Sequence, residues 1–142
     1  MDNLLTTENL SVDFETDQGI VHAVRNVSFH LNKGEILGIV GESGSGKSVT
    51  MYSIMGLLGD TAHIQCGKML FDGTDINPCS YQSKKAYSAV MRDLCGSRMA
   101  MIFQDPMTFL NPTMKIGKQL CEPILNHTSM TKQQARQRAL EL

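Results

Sequence analysis

Gly41-Glu42-Ser43-Gly44-Ser45-Gly46-Lys47-Ser48 fits the spacing G-x-x-x-x-G-K-[ST], and the rest of the chain is read outward from it. Glycines let the backbone bend into a nest whose N–H groups converge on one anion. A helix starting there adds free N–H groups and the positive end of its dipole. In such a loop Lys47 reaches the β- and γ-phosphates as a point charge, and the Ser48 hydroxyl ligates Mg²⁺. Val49 brings no hydroxyl, so its contact with the α-phosphate rests on its backbone N–H. The flanks agree with this reading. Glu35-Ile36-Leu37-Gly38-Ile39-Val40 is an apolar run suited to a buried parallel strand. Met51, Ile54, Met55 and Leu58 share one helical face before the breaks at Gly56 and Gly59. Strand, loop and helix stand in the order that a phosphate site of this kind needs.

The totals bound the alternatives. A chain of 142 residues suits one modest domain, and 42% hydrophobic with 19% charged residues is a globular composition. The net charge of −1 gives no support for a nucleic-acid or anionic-membrane surface. No stretch approaches the ~20 apolar residues of a spanning helix. Met1-Asp2-Asn3-Leu4 lacks the basic start and apolar core of a signal peptide, so a cytoplasmic protein is expected. Cys66, Cys79, Cys95 and Cys121 offer no C-x-x-C spacing and read as ordinary thiols or small core residues.

Along the chain, residues 4–14 read as an edge strand ending in Val12-Asp13-Phe14. Residues 21–31 read as a second strand, with Val21, Ala23, Val27, Phe29 and Leu31 in a loose period of two. This pair gives an adenine ring something to lean on. Phe14 is the aromatic best placed for it, and a core residue at a strand end is the equal alternative. Residues 66–73 read as a short strand closing in an Asp72-Gly73 turn. Residues 80–94 read as a surface helix, and residues 98–103 as a buried strand. That strand runs into Gln104-Asp105-Pro106, where two prolines (Pro106 and Pro112) bracket a loop. Gln104 is placed to put its amide oxygen on Mg²⁺ or on an attacking water. The rival assignment makes Asp105 a metal-binding acid. Residues 115–126 read as a helix that Pro123 bends or ends. Thr131-Lys132-Gln133-Gln134 is a capping box opening a last helix.

With the phosphate loop and the glutamine loop both placed, the chain resembles the N-terminal part of an ABC-transporter ATPase of the dipeptide/oligopeptide (and nickel) import subfamily. "IVGESGSGKSVT" with "IMGLL", "MIFQDPMTFLNP", and the opening "LSVDFET" with "AVRNVSFHLNKGE" carry the likeness, which runs from about Leu4 to Leu142. Phe109 departs from it, standing where the subfamily usually has serine. The resemblance implies an α/β P-loop nucleotidase fold of the ABC ATPase type, here as about the first half of a subunit. Residues 1–114 would hold the β-subdomain and P-loop core through the glutamine loop, and residues 115–142 would begin the helical subdomain. It implies ATP and Mg²⁺ as cofactors, with Phe14 and residues Gly41 to Val49 binding nucleotide and Ser48 and Gln104 on the metal. Gln104 would also sense the γ-phosphate. The implied partners are transmembrane permease subunits, a second ATPase subunit and, indirectly, a solute-binding protein, on the inner face of the cell membrane. The family's L-S-G-G-Q signature, Walker B carboxylates and switch histidine have no match in residues 1–142, so no complete catalytic set is expected here. Two other readings stay open. One is a complete small kinase-like enzyme using Asp105, with Arg136 and Arg138 near the transferred phosphate. The other is a non-catalytic nucleotide-binding remnant.

Overall fold

The computed structural model describes residues 3–103 and 110–142. Gln104 and the rest of the proline-bracketed segment to Phe109 therefore lie outside the described residues. The described chain divides into two compact units, residues 1–92 and residues 93–142.

The first unit is built on a long hairpin, β1 (Asn3–Thr16) with β2 (Gly19–Asn32). The hairpin forms because both segments alternate and a short Asp17-Gln18 turn joins them, Thr16 Oγ1 donating to the Gly19 carbonyl at 2.7 Å. β1 is not the edge strand expected from its sequence. Its second side is shared by two short strands, β4 (Lys68–Phe71) along Leu5–Glu8 and β3 (Ala62–Gln65) along Ser11–Phe14. β4 turns into β5 (Thr74–Asp75) through Asp72 and Gly73, whose φ values of 46° and 80° suit the Asp-Gly pair. Every strand pairing in this sheet is antiparallel. Leu10, Val12, Val24, Met69, Phe71 and Ile76 form its buried side.

The hairpin register slips at several points, and this moves the core. Leu10 pairs with Val27 and Val12 with Val24, so β2 carries one residue more than β1 over that step. Asn26 absorbs it at φ 50°, and its N–H is taken by Ser11 Oγ at 3.0 Å. The slip changes the phase of the strand. Val24, 5% exposed, faces the core in place of the expected Ala23, and Val21 is 52% exposed.

α1 (Lys47–Ile54) follows the glycine-rich loop and buries Thr50, Ser53 and Ile54. The Thr50 and Ser53 hydroxyls bond back to the carbonyls of Gly46 and Val49, which lets polar residues sit in that interface. After β5 comes a 3-10 turn at Pro78–Ser80, then α2 (Lys84–Leu94), matching the helix expected at 80–94.

The apolar run before the loop departs from expectation. Residues 35–40 adopt no regular structure, and no described strand pairs with them. Ile36 is 95% and Val40 94% exposed, so the buried parallel strand is absent from this unit. A parallel strand takes its hydrogen bonds entirely from neighbours distant in sequence, and the short antiparallel strands are all engaged with β1 or β4.

In the second unit residues 98–103 also do not form the expected buried strand. Met99 is buried and makes an isolated bridge with Cys95, whereas Ile102 is 97% exposed. α3 (Ile116–His127) runs through Pro123 without ending there. α4 (Lys132–Glu141) opens with the expected capping box, Thr131 and Gln134 each bonding the other's backbone. Ala135 and Cys121 are the buried residues of this helix pair. None of the four cysteines forms a disulfide. Burial pushes the Cys66 and Cys95 thiols up from their ordinary range. No helix among the described residues is long and apolar enough to cross a membrane.

Candidate functional site

The loop from Gly41 to Ser48 delivers the chain into α1, with Gly46 at the helix N-cap. Gly46 sits at φ 86°, ψ 2° and no side chain caps the helix. The first-turn N–H groups of α1 are thus left facing the loop, the arrangement that favours an anion. No acidic residue stands in that first turn to compete for them.

Lys47 turns its ammonium back over the loop. Its Nζ donates to the Gly41 carbonyl at 2.8 Å, the Glu42 carbonyl at 2.7 Å and Ser45 Oγ at 3.2 Å. The loop is drawn around this cation so closely that a Cβ on Gly41 would stand 2.7 Å from Ser45 Oγ. Ser45 N also closes a turn onto the Glu42 carbonyl at 3.2 Å. The result is a concavity of about 160 Å³ lined by Ala23, Gly44, Ser45, Gly46, Lys47, Ser48 and Val49. Its lining offers a cation, two hydroxyls, backbone N–H groups and no carboxylate. That donor set fits phosphate oxygens, and the Ser48 hydroxyl is a suitable ligand for a hard divalent cation. The volume is below the ~300–1,000 Å³ usual for a whole small-molecule site, so the hollow matches the phosphates rather than an entire nucleotide.

The structure brings Gly44 to Val49 together around one hollow, with Gly41 and Glu42 bonded to its lysine; Ser43 stays exposed in the same loop. Phe14 is not among the residues lining it. It is half-buried on β1, paired with Val21 on one side and Ala62 on the other. It shares a sheet face with Val12, whose partner Val24 approaches Gly46 to 3.3 Å from a Cβ built there. Gln104 and Asp105 lie outside the described residues. Arg138 is engaged with Glu141 at 3.3 Å on α4, and Arg136 lies along an apolar groove between α3 and α4.

Ala23 is the one lining residue that the sequence does not point to. An alanine in an alternating strand carries no mark of a ligand wall. It falls at a further register shift of β2, between the Val12–Val24 and Asp13–His22 pairs, with its carbonyl oxygen close to Gly46.

The chain is 47% identical over 140 residues to the oligopeptide transport ATP-binding protein OppD of Bacillus subtilis, a match that takes in 98% of this chain and 37% of that protein. It is 48% identical over 142 residues to the dipeptide transport ATP-binding protein DppD of Lactococcus lactis, covering 99% of this chain and 39% of the relative. The chain thus spans about two fifths of the length of these curated relatives. Among solved structures, the dimeric ATP-binding cassette MJ0796 in a post-hydrolysis state with ADP and phosphate superposes with a TM-score of 0.72. The identity there is 25%, over 96% of this chain and 54% of the other. The ABC transporter family itself matches residues 24–142, from the middle of β2 through the glycine-rich loop to the last helix, and the chain belongs to that family.

Proposed function

We propose that the protein is an ATP-binding subunit of an ABC importer and couples ATP binding and hydrolysis to uptake of di- or oligopeptides. One observation carries the proposal: the carboxylate-free hollow at the N-terminus of α1, with Lys47 and Ser48 on its wall. The relatives' names supply the peptide class, since they are oligopeptide and dipeptide transport ATP-binding proteins. In this reading Gly41 to Val49 hold the phosphates, and Phe14 meets the adenine. Mg²⁺, bound by Ser48 and Gln104, neutralises charge on the phosphates. Gln104 reports the γ-phosphate to permease subunits on the inner face of the membrane. A second ATPase subunit and a solute-binding protein complete the assembly, and residues 115–142 begin the helical subdomain. The family match weighs against a small kinase.

The test is a calorimetric titration with Mg-ATP. Lys47→Ala removes a charged donor worth ~1.5–3 kcal/mol, so binding should weaken by roughly 10- to 150-fold. Equal affinity in both proteins would mean that the loop is not a phosphate site. Residues 1–142 contain no L-S-G-G-Q segment, so this stretch by itself should turn over ATP negligibly. A phosphate-release assay reading a kcat in the usual ~1–10³ s⁻¹ range, lost in Lys47→Ala, would overturn that expectation.

A further inference from the structure

We infer that the β2 bulge at Ala23 positions the phosphate loop and couples its occupancy to the β1–β2 hairpin. The inference rests on the nucleotide reading above. Val12 pairs with Val24, and the next residue of β1, Asp13, pairs with His22, so Ala23 is the extra residue of the step. A bulged residue is unpaired in its ladder, and its peptide is turned out of line. The peptide at Ala23 is turned against the loop: a Cβ on Gly46 would collide with the Ala23 carbonyl oxygen and lie 3.3 Å from Val24 Cγ2. Gly46 is also the N-cap of α1, and its carbonyl accepts from Thr50 N and Thr50 Oγ1, both at 2.9 Å. One residue therefore touches β2 on one side and starts the phosphate-facing helix on the other. Phe14 is in the second pair beyond the bulge, opposite Val21, on the sheet face that Val12 and Val24 share. The bulge thus sets where the hairpin tip stands relative to the loop.

Gly44 supplies the control. Its φ of 81° is close to the 86° of Gly46, yet a Cβ on Gly44 meets nothing within 4 Å. Both alanine substitutions carry the same left-handed strain, and only the one at 46 strikes the bulge. Amide hydrogen exchange on the full chain without nucleotide should show faster exchange at residues 22–24 in Gly46→Ala and no change there in Gly44→Ala. Equal behaviour of the two variants at 22–24 would overturn the inference. The second measurement uses the unaltered chain. At Mg-ATP about a hundred times Kd, protection should rise by up to ~100-fold at residues 41–48 and also at 22–24. The strand pairs near Phe29 should change much less. Protection at 41–48 with 22–24 unchanged overturns the coupling and leaves the nucleotide site standing. Absence of protection at 41–48 overturns the nucleotide site, and the coupling with it.

Discussion

Two stretches of the first unit carry large apolar residues and meet opposite fates, the more apolar of them being the exposed one. Leu10 and Val12 on β1 are fully buried, whereas Ile36 and Val40, leading into the glycine-rich loop, are almost fully exposed. β1 finds its partners close at hand. A hairpin supplies β2, and the segment after α1 returns β3 and β4 to its other side. Residues 35–40 have no such local arrangement, and no described strand reaches them. Burial follows from pairing, and hydrophobicity alone does not secure it. An apolar strand needs a ladder on its edges before its faces can be covered.

Leu10→Ala should make the contrast plain, since it deletes a fully buried side chain beside Val27. A loss of ~2–5 kcal/mol is expected from urea unfolding. Val40→Ser, at 94% exposure, should stay within about 0.5 kcal/mol of the parent. A large loss from Val40→Ser would mean that this stretch is buried in solution, by self-association or by partners within the chain, and the comparison would fall.

A smaller effect probes how locally the antiparallel side is encoded. Gly73 closes the β4–β5 turn at φ 80°, and a Cβ there meets nothing within 4 Å. Gly73→Ala should therefore cost only the left-handed penalty of ~1–2 kcal/mol, read as a lower midpoint with an unchanged denaturant slope. A changed slope would show that the substitution alters the compactness of the folded or unfolded chain beyond the turn itself.

The smallest effect is electrostatic. Lys84 Nζ lies 2.7 Å from Asp60 Oδ1 on the open surface between α1 and α2. The hydrogen bond from that ammonium, and then its charge, hold the Asp60 carboxyl below its ordinary range. A lowered folded-state value means that the contribution is present above the unfolded value and lost as pH falls through the folded one. Solvent screens an exposed pair, so Asp60→Asn should shift the neutral-pH melting temperature barely measurably, and the difference should vanish in acid or high salt. A gap that widens toward acid would reverse the assignment.

The glycine-rich turn into α1, the Asp-Gly turn and the capping box at Thr131 were legible in the sequence because each depends on contacts within a few residues. Glycine spacing dictates where the backbone can nest, and a threonine can cap only the helix it precedes. The family likeness was legible for the same reason, being carried by short contiguous wording around the loops. Other features depend on which segments meet across long stretches of chain. The central place of β1, the slip that exchanges Ala23 for Val24 in the core, and the exposure of Ile36, Val40 and Ile102 are of this kind. A strand's period marks its two faces. Which face is covered, and whether its edges are paired at all, depends on neighbours that the strand's own residues do not specify, so tertiary structure alone decides it.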